Sequence, residues 1–307
     1  MHAAVLRYFV AVARAGSIRK ASEELHVASS AVSRQIQKIE DELGTPLFER
    51  LPSGLRLTRA GQIALRHARE TLHQFDIMRG ELGDLKGKKT GRVHIACLDS
   101  LSVQFLPERV MSFHQLHPAI DLRIRNDNYS QIFGFVADGD VDVGITFDLA
   151  RPEDIRRVAG VPMPLMAMVS RSHPLARSKS VTLQECAQFN LLLQLDNEVM
   201  SSMISIELAA LDRTGRTLVA TNNQMMLKPL ILAGVGVAFF TPIGLLNELR
   251  DGSVVALPIA GSRLQELEIS VMVPRNRPLT GATQAFVDYI AAELVAYSKD
   301  IHEVLNR

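Results

Sequence analysis

Ser17-Ile-Arg-Lys-Ala-Ser-Glu-Glu-Leu-His-Val-Ala-Ser-Ser-Ala-Val-Ser-Arg-Gln-Ile36 is the stretch whose reading decides the fold of the N-terminal part of this chain. Ser17 is placed as an N-cap, and Ile18, Ala21, Ser22 and Leu25 follow at helical spacing. The pattern breaks at His26-Val27-Ala28 and resumes with Val32, Ile36, Ile39 and Leu43 on one stripe. At about 3.6 residues per turn, Ser30, Arg34, Gln37 and Lys38 fall on the opposite face. A short helix, a tight turn, and a helix with an apolar back and a polar front form the arrangement that enters the major groove of DNA. Arginine matches guanine O6 and N7, and glutamine matches adenine N6 and N7. Ser29, Ser30, Ser33, Arg34, Gln37 and Lys38 are therefore the candidate DNA contacts on this helix. A merely solvated amphipathic pair shows the same pattern, so the flanking sequence decides between the two.

Outward from this stretch, a first helix is expected from about Ala3 to Ala15, with Leu6, Phe9, Val10 and Ala13 facing inward. Gly44-Thr-Pro46 stops the third helix. Leu47 to Leu57 reads as a small β-hairpin turning at Pro52-Ser-Gly54, a wing beside the recognition helix. Arg50 and Arg56 on that wing could reach phosphates or the minor groove, with ordinary surface charge as the competing reading. Thr58 then caps a long helix running to about Leu85, roughly 40 Å in length. Leu65, Leu72, Phe75 and Leu82 recur along it at near-heptad spacing, with Ala68 in the same stripe, Met78 and Leu85 beside it and Arg79 interrupting it. A head this small is not expected to cover the stripe, so Leu65, Leu72, Phe75 and Leu82 are read as a subunit interface. Gly87 to Gly91 forms the linker that follows.

From Arg92 the texture changes to alternating strands and helices, which implies a mostly parallel α/β sheet followed by a second subdomain from about Val161. Strands are expected at Val93–Leu98, Ala119–Arg125 and Val141–Phe147, a helix at Ser201–Leu211, and further helices at the C-terminus from Thr280. Charge is uneven along the chain. Residues 1–90 hold 15 Lys/Arg against 10 Asp/Glu, and the rest holds 19 against 23. A mildly basic head on a mildly acidic body suits a head that meets phosphate. The two cysteines, Cys97 and Cys186, have no paired spacing, which argues against a disulfide framework or a zinc site. The longest apolar stretch, Pro229 to Pro242, is too short for a bilayer and is broken by glycines. Together these features point to a cytoplasmic protein with no membrane partner, no metal and no cofactor. An enzyme reading finds no Gly-x-Ser-x-Gly elbow, phosphate-binding glycine loop or His-Glu-x-x-His pair.

The whole chain resembles a LysR-type transcriptional regulator. In the head the resemblance lies in Phe9-Val-Ala-Val-Ala-Arg-Ala-Gly-Ser17, Ala21-Ser-Glu-Glu-Leu25, Ala31-Val-Ser-Arg-Gln-Ile36, Glu40-Asp-Glu-Leu-Gly44, Pro46-Leu-Phe48, Arg50 and Leu57-Thr-Arg-Ala-Gly61. In the body it lies in the weaker motifs Phe105-Leu-Pro107, Pro118, Asp140–Ile145, His173-Pro-Leu-Ala176 and Gly234-Val-Gly-Val237. Ala28, Ser29 and Ala96 depart from the family pattern, which bears on the cap of the third helix, one base contact and the approach of a ligand to the first body strand.

The resemblance implies an N-terminal, all-α winged helix-turn-helix domain (1–58), a linker and dimerisation helix (59–90) and an α/β, two-lobed effector domain like type 2 periplasmic binding proteins (91–307). Lobe I would take about 91–160 and 267–307, and lobe II about 161–266, with crossings at Thr146–Val161 and Ala260–Leu267. A small effector would bind between the lobes, where strands end and helices begin. That rule marks Ser100, Ser102, Asn128, Thr146, Phe147, Ser201, Ser202, Asn223 and Thr241, with Asn222 beside them. Hydroxyl and amide groups at helix N-termini suit a small carboxylate, whereas Asp99 and Asp127, if they face the cleft, favour a cationic or amino group. The implied partners are double-stranded DNA carrying an interrupted palindrome, the effector, further copies of the chain in a dimer or tetramer, and RNA polymerase. A thiol-based redox regulator using Cys97 or Cys186 is the alternative.

Overall fold

The computed structural model describes residues 3–52, 54–85, 89–194 and 216–306. The chain forms two units, one built mainly on the residues up to Gly91 and one mainly on those from Arg92 onward. In the first, α1 (Ala3–Ala15), α2 (Ile18–Leu25) and α3 (Ser29–Leu43) precede a hairpin of β1 (Phe48–Leu51) and β2 (Gly54–Leu57), and α4 (Arg59–Asp84) follows. The Ser17 side chain accepts from the Lys20 amide at 3.4 Å, and His26, in the left-handed region at φ 53°, ends α2. Gly44 does the same for α3 at φ 64°, a conformation that costs glycine little. Phe9, Val12, Ala21, Val32, Ile36, Ile39 and Leu47 form the core. On α1 the buried row is Leu6, Phe9, Ala11 and Val12, while the expected Val10 and Ala13 are half-buried.

The α4 stripe differs from expectation. Ala68 is part of the head core, and Leu65 and Leu72 pack against it, because α1 has apolar surface left over for α4. Leu65 and Leu72 are thus half-buried within their own chain. Phe75, Met78, Leu82 and Leu85 are the exposed apolar residues further along the helix. The first turn of α4 lies hard against the wing. A Cβ added at Gly61 would sit 2.1 Å from the Leu47 carbonyl oxygen, so this position has no room for a side chain.

Among the described residues the second unit contains two five-stranded sheets. The first is ordered β4 (Ile120–Asn126), β3 (Gly91–Cys97), β5 (Val143–Phe147), β12 (Glu268–Pro274), β6 (Ile155–Pro162). The second is ordered β11 (Val254–Leu257), β7 (Met166–Ser170), β10 (Val237–Phe240), β8 (Leu191–Gln194), β9 (Thr217–Thr221). Parallel pairing holds for β3 with β5, β10 with β8 and β8 with β9, but β12 runs antiparallel to both β5 and β6, and β7 to both β10 and β11. The sheets are therefore mixed rather than mostly parallel.

The expected crossing at Thr146–Val161 is corrected by β6, an edge strand paired with β12 from Glu268↔Pro162 to Pro274↔Ile155, with one shift of register between Val271 and Met272. The chain leaves the first sheet after Pro162 and returns before Glu268. The two passages are bonded side by side, Met163 N–H to Leu267 O at 2.8 Å and Leu165 N–H to Leu264 O at 2.9 Å. Helices α5 (Asp99–Val103) and α6 (Phe105–Leu116) are separated at Gln104, and α7 (Tyr129–Ala137) covers β5. A short α8 (Leu183–Cys186), α9 (Gln224–Leu232) and α10 (Leu246–Asp251) belong to the second lobe. The C-terminus is a single helix, α11 (Gly281–Leu305), whose Phe286 meets Phe113 edge-on at 5.2 Å. The expected helix Ser201–Leu211, with Ser201 and Ser202, lies outside the described residues.

Candidate nucleic-acid interface and effector cleft

On α3 the apolar row Val32, Ile36 and Ile39 is buried, which fixes the helix's rotation and turns Ser29, Ser30, Ser33, Arg34, Gln37 and Lys38 outward, all exposed. Arg34 makes one long bond along its own helix, Nε to Ser30 O at 3.4 Å, and can leave it cheaply. Ser29 is different. The Ser22 hydroxyl donates to Arg19 O at 2.8 Å, so the 2.7 Å contact between Ser22 and Ser29 has Ser29 as donor. Ser29 therefore ties α2 to α3. Ala28 precedes α3 without a side-chain cap.

The wing is held to α3 by Glu40, which the sequence reading did not single out. One Glu40 carboxylate oxygen accepts from the Leu47 amide at 2.6 Å and from the Phe48 amide at 3.1 Å. Leu47 is fully buried, so without Glu40 its amide has no water to turn to. Glu40→Ala is expected to cost about 1–3 kcal/mol, the penalty of a stranded buried donor. Urea denaturation of the full chain measures it, and an unchanged head transition would contradict the tie. On the wing, Arg56 Nε bonds Glu49 at 2.6 Å across the strands, whereas Arg50 is exposed and forms no ion pair among the described residues. Arg50 is the freer of the two for phosphate.

Between the sheets of the second unit lies a cavity of about 400 Å³. Its described lining includes the expected Ser100, Asn128, Phe147 and Thr241, joined by Asp99, Asn126, Asp127, Gln131, Leu165, Gln194, Asn222 and Gln224. Ser102 and Asn223 line an adjoining hollow. The Ser102 hydroxyl donates to Asn126 Oδ1 at 2.8 Å, and Asn223 caps α9 through the Met225 amide at 3.0 Å. Thr146 is fully buried, lines neither space, and its hydroxyl has no hydrogen-bond partner among the described residues. Gln194 ends β8, and the strand-end rule could have found it. Gln131 lies inside a helix and carries no such signal.

Among the described residues two sets of hydrogen bonds cross between the lobes. Asp99 opens α5, and its carboxylate accepts from Asn126 Nδ2 at 3.0 Å and from the Gln224 backbone amide at 2.9 Å. The second bond places a carboxylate on the first amide of α9, where a helix leaves its donors unpaired. Further out, Gln104 donates to Glu248 at 2.7 Å and accepts from the Asn247 amide at 3.2 Å.

The thiol alternative gains nothing from this arrangement. Cys97 and Cys186 are both buried and free. Burial pushes each thiol up to about 12, away from the thiolate that redox chemistry requires.

A winged helix-turn-helix and a two-lobed α/β unit with a polar cleft together make up a DNA-binding transcriptional regulator with an effector-binding domain. Comparison with known proteins identifies the family. Residues 4–62 match the bacterial regulatory helix-turn-helix protein, lysR family, and residues 86–295 match the LysR substrate binding domain. The chain is 29% identical over 267 residues to the HTH-type transcriptional regulator CfxR of Cupriavidus necator, covering 85% of this chain and 82% of that protein. It is 26% identical over 294 residues to the HTH-type transcriptional activator CmpR of Synechocystis sp., covering 94% and 95%. Its fold matches a full-length OxyR variant from Pseudomonas aeruginosa with a TM-score of 0.69 across 94% of both chains, at 19% identity. The chain belongs to the LysR family of transcriptional regulators.

Proposed function

We propose that this regulator binds an interrupted palindrome as a dimer or higher assembly, and that a small effector in the cleft between the lobes sets how the paired heads engage it. Residues 1–58 serve as the DNA-binding domain, 59–90 as the pairing helix and 91–307 as the effector domain. Arg34, Gln37 and Lys38 lie on the base-facing side of α3, with Arg50 on the phosphate backbone. Among the described residues no helix is long and apolar enough to cross a membrane.

The observation that carries the effector reading is the Asp99 carboxylate on the Gln224 amide, a lobe-to-lobe bond at the rim of the cavity. A ligand shifts an equilibrium only by binding one state better than the other. One that replaces or reinforces this bond has that leverage. The test is a DNase footprint of wild type and Asp99→Ala with and without a metabolite that stabilises the protein thermally. A ligand-dependent footprint in wild type and a ligand-independent one in the variant are expected. An identical ligand response in both would contradict the role of Asp99.

For the head, Arg34→Ala is expected to weaken operator binding by about 1–3 kcal/mol and to relax one base position. Fluorescence anisotropy on operator and random duplexes measures both. Equal losses on the two would remove Arg34 from base reading.

A further inference from the structure

The described wall of the cleft is polar but offers no free charge. Its lining contains two carboxylates and no Lys, Arg or His among the described residues. Asp127 is already paired with Arg125 at 3.1 Å, and its other oxygen accepts from the Asn128 amide at 3.1 Å. Asp99 has both oxygens engaged by the Asn126 and Gln224 donors. Among the described lining residues an anionic ligand would meet two carboxylates and no cationic side chain. An ammonium group would find each carboxylate already served. The rest of the polar lining is neutral, namely Asn128, Gln131, Gln194, Asn222 and Thr241, with the Asn128 oxygen held by the Ser130 hydroxyl and the Gln131 amide and the Gln194 oxygen held by Gln224. Among these the Thr241 hydroxyl stands out. It is 2% exposed, lines the cavity, and has no hydrogen-bond partner among the described residues. A buried hydroxyl in that state calls for a ligand or a water. Leu98, Phe147 and Leu165 add apolar side chains to the lining.

We infer that the cleft takes a neutral, polyhydroxylated molecule of monosaccharide size. The inference rests on the reading of the cleft as the effector site and names the chemistry of its ligand. Carboxamides such as those of Gln131 and Asn222 can donate and accept at once, which matches vicinal hydroxyls, and the apolar lining residues suit the C–H face of a sugar ring. The volume of about 400 Å³ falls within the usual range for small-molecule sites. This differs from both sequence-based expectations, a carboxylate or an amine.

The experiment is calorimetric titration of the full-length protein with matched probes: glucose, glucosamine and glucose 6-phosphate, and ribose with ribose 5-phosphate, together with xylose, mannitol and succinate. Saturable binding of at least one neutral sugar or sugar alcohol is expected, with its charged counterpart weaker by about tenfold or more. Thr241→Val should weaken that binding by about tenfold, the worth of a good neutral hydrogen bond, and Thr241→Ser should restore it. Unchanged thermal unfolding of both variants establishes that they fold. Tighter binding of a phosphorylated, carboxylated or amino probe that remains sensitive to Thr241→Val would overturn the polyol inference and leave the cleft as effector site. Binding insensitive to Thr241→Val and Asn128→Ala would place the ligand elsewhere and overturn both readings. Saturation by no neutral probe at millimolar concentration also overturns the polyol inference.

Discussion

A chain carrying Met78→Asp and Leu82→Asp together is expected to form a smaller assembly than wild type at micromolar concentration and to lose operator affinity by about 10²–10⁴-fold, the scale of avidity that pairing two binding modules provides. The residues concerned are the outer part of α4. Phe75, Met78, Leu82 and Leu85 are 37%, 44%, 53% and 84% exposed, at steps that keep a coiled-coil seam. Each such side chain, once buried, contributes about 1.5–3 kcal/mol, and a second copy of the same seam is the surface that matches it by symmetry. An aspartate there must instead be desolvated without a partner. The choice of positions matters. Leu72 lies against the head core, so a charge there would damage the head and confuse misfolding with dissociation. Met78 and Leu82 are exposed in the single chain, so the double variant should keep wild-type head stability and wild-type affinity for a single half-site. Light scattering that shows an unchanged assembly would contradict this seam.

Phe9→Ala should unfold the head while leaving the effector domain folded. Phe9 is 1% exposed and meets Phe48 of the wing edge-on at 5.5 Å, so it joins α1 to the hairpin. Removing a buried phenyl ring costs about 3–5 kcal/mol. Folded domains are stable by only about 5–15 kcal/mol in total, and a head this small sits toward the low end. Guanidinium denaturation should therefore show the head transition shifted to much lower denaturant and the second transition unmoved. Loss of both transitions together would mean that the two units do not fold independently.

The head was largely legible in the sequence because its determinants are local. The Ser17 cap, the break at His26 and the Gly44 stop each act within one turn of chain, and the observed helices begin and end at these marks. What escaped depended on distant partners. Strand β6 reads Ile-Arg-Arg-Val-Ala-Gly-Val-Pro, charged and half-buried, without alternation. It is a strand because β12, far along the chain, offers it an antiparallel edge. The partial cover on Leu65 and Leu72 escaped for the same reason, since it is the neighbouring head core that half-buries them. In the cleft, the strand-end rule found Ser100, Asn128, Phe147 and Thr241, yet it also marked Thr146, which lines neither space. Glu40 looked like one more exposed helical acid, and only the geometry of the wing gives it the Leu47 and Phe48 amides to hold.

The most direct measurement is selection of binding sites from a random duplex pool by the full-length protein, with Arg34→Ala in parallel. Wild type should enrich an interrupted palindrome whose half-sites are spaced by whole turns of about 10 bp, and the variant should lose one base position in each half-site. Enrichment of an unrepeated single site, or of no sequence at all, would contradict a paired head that reads DNA through α3.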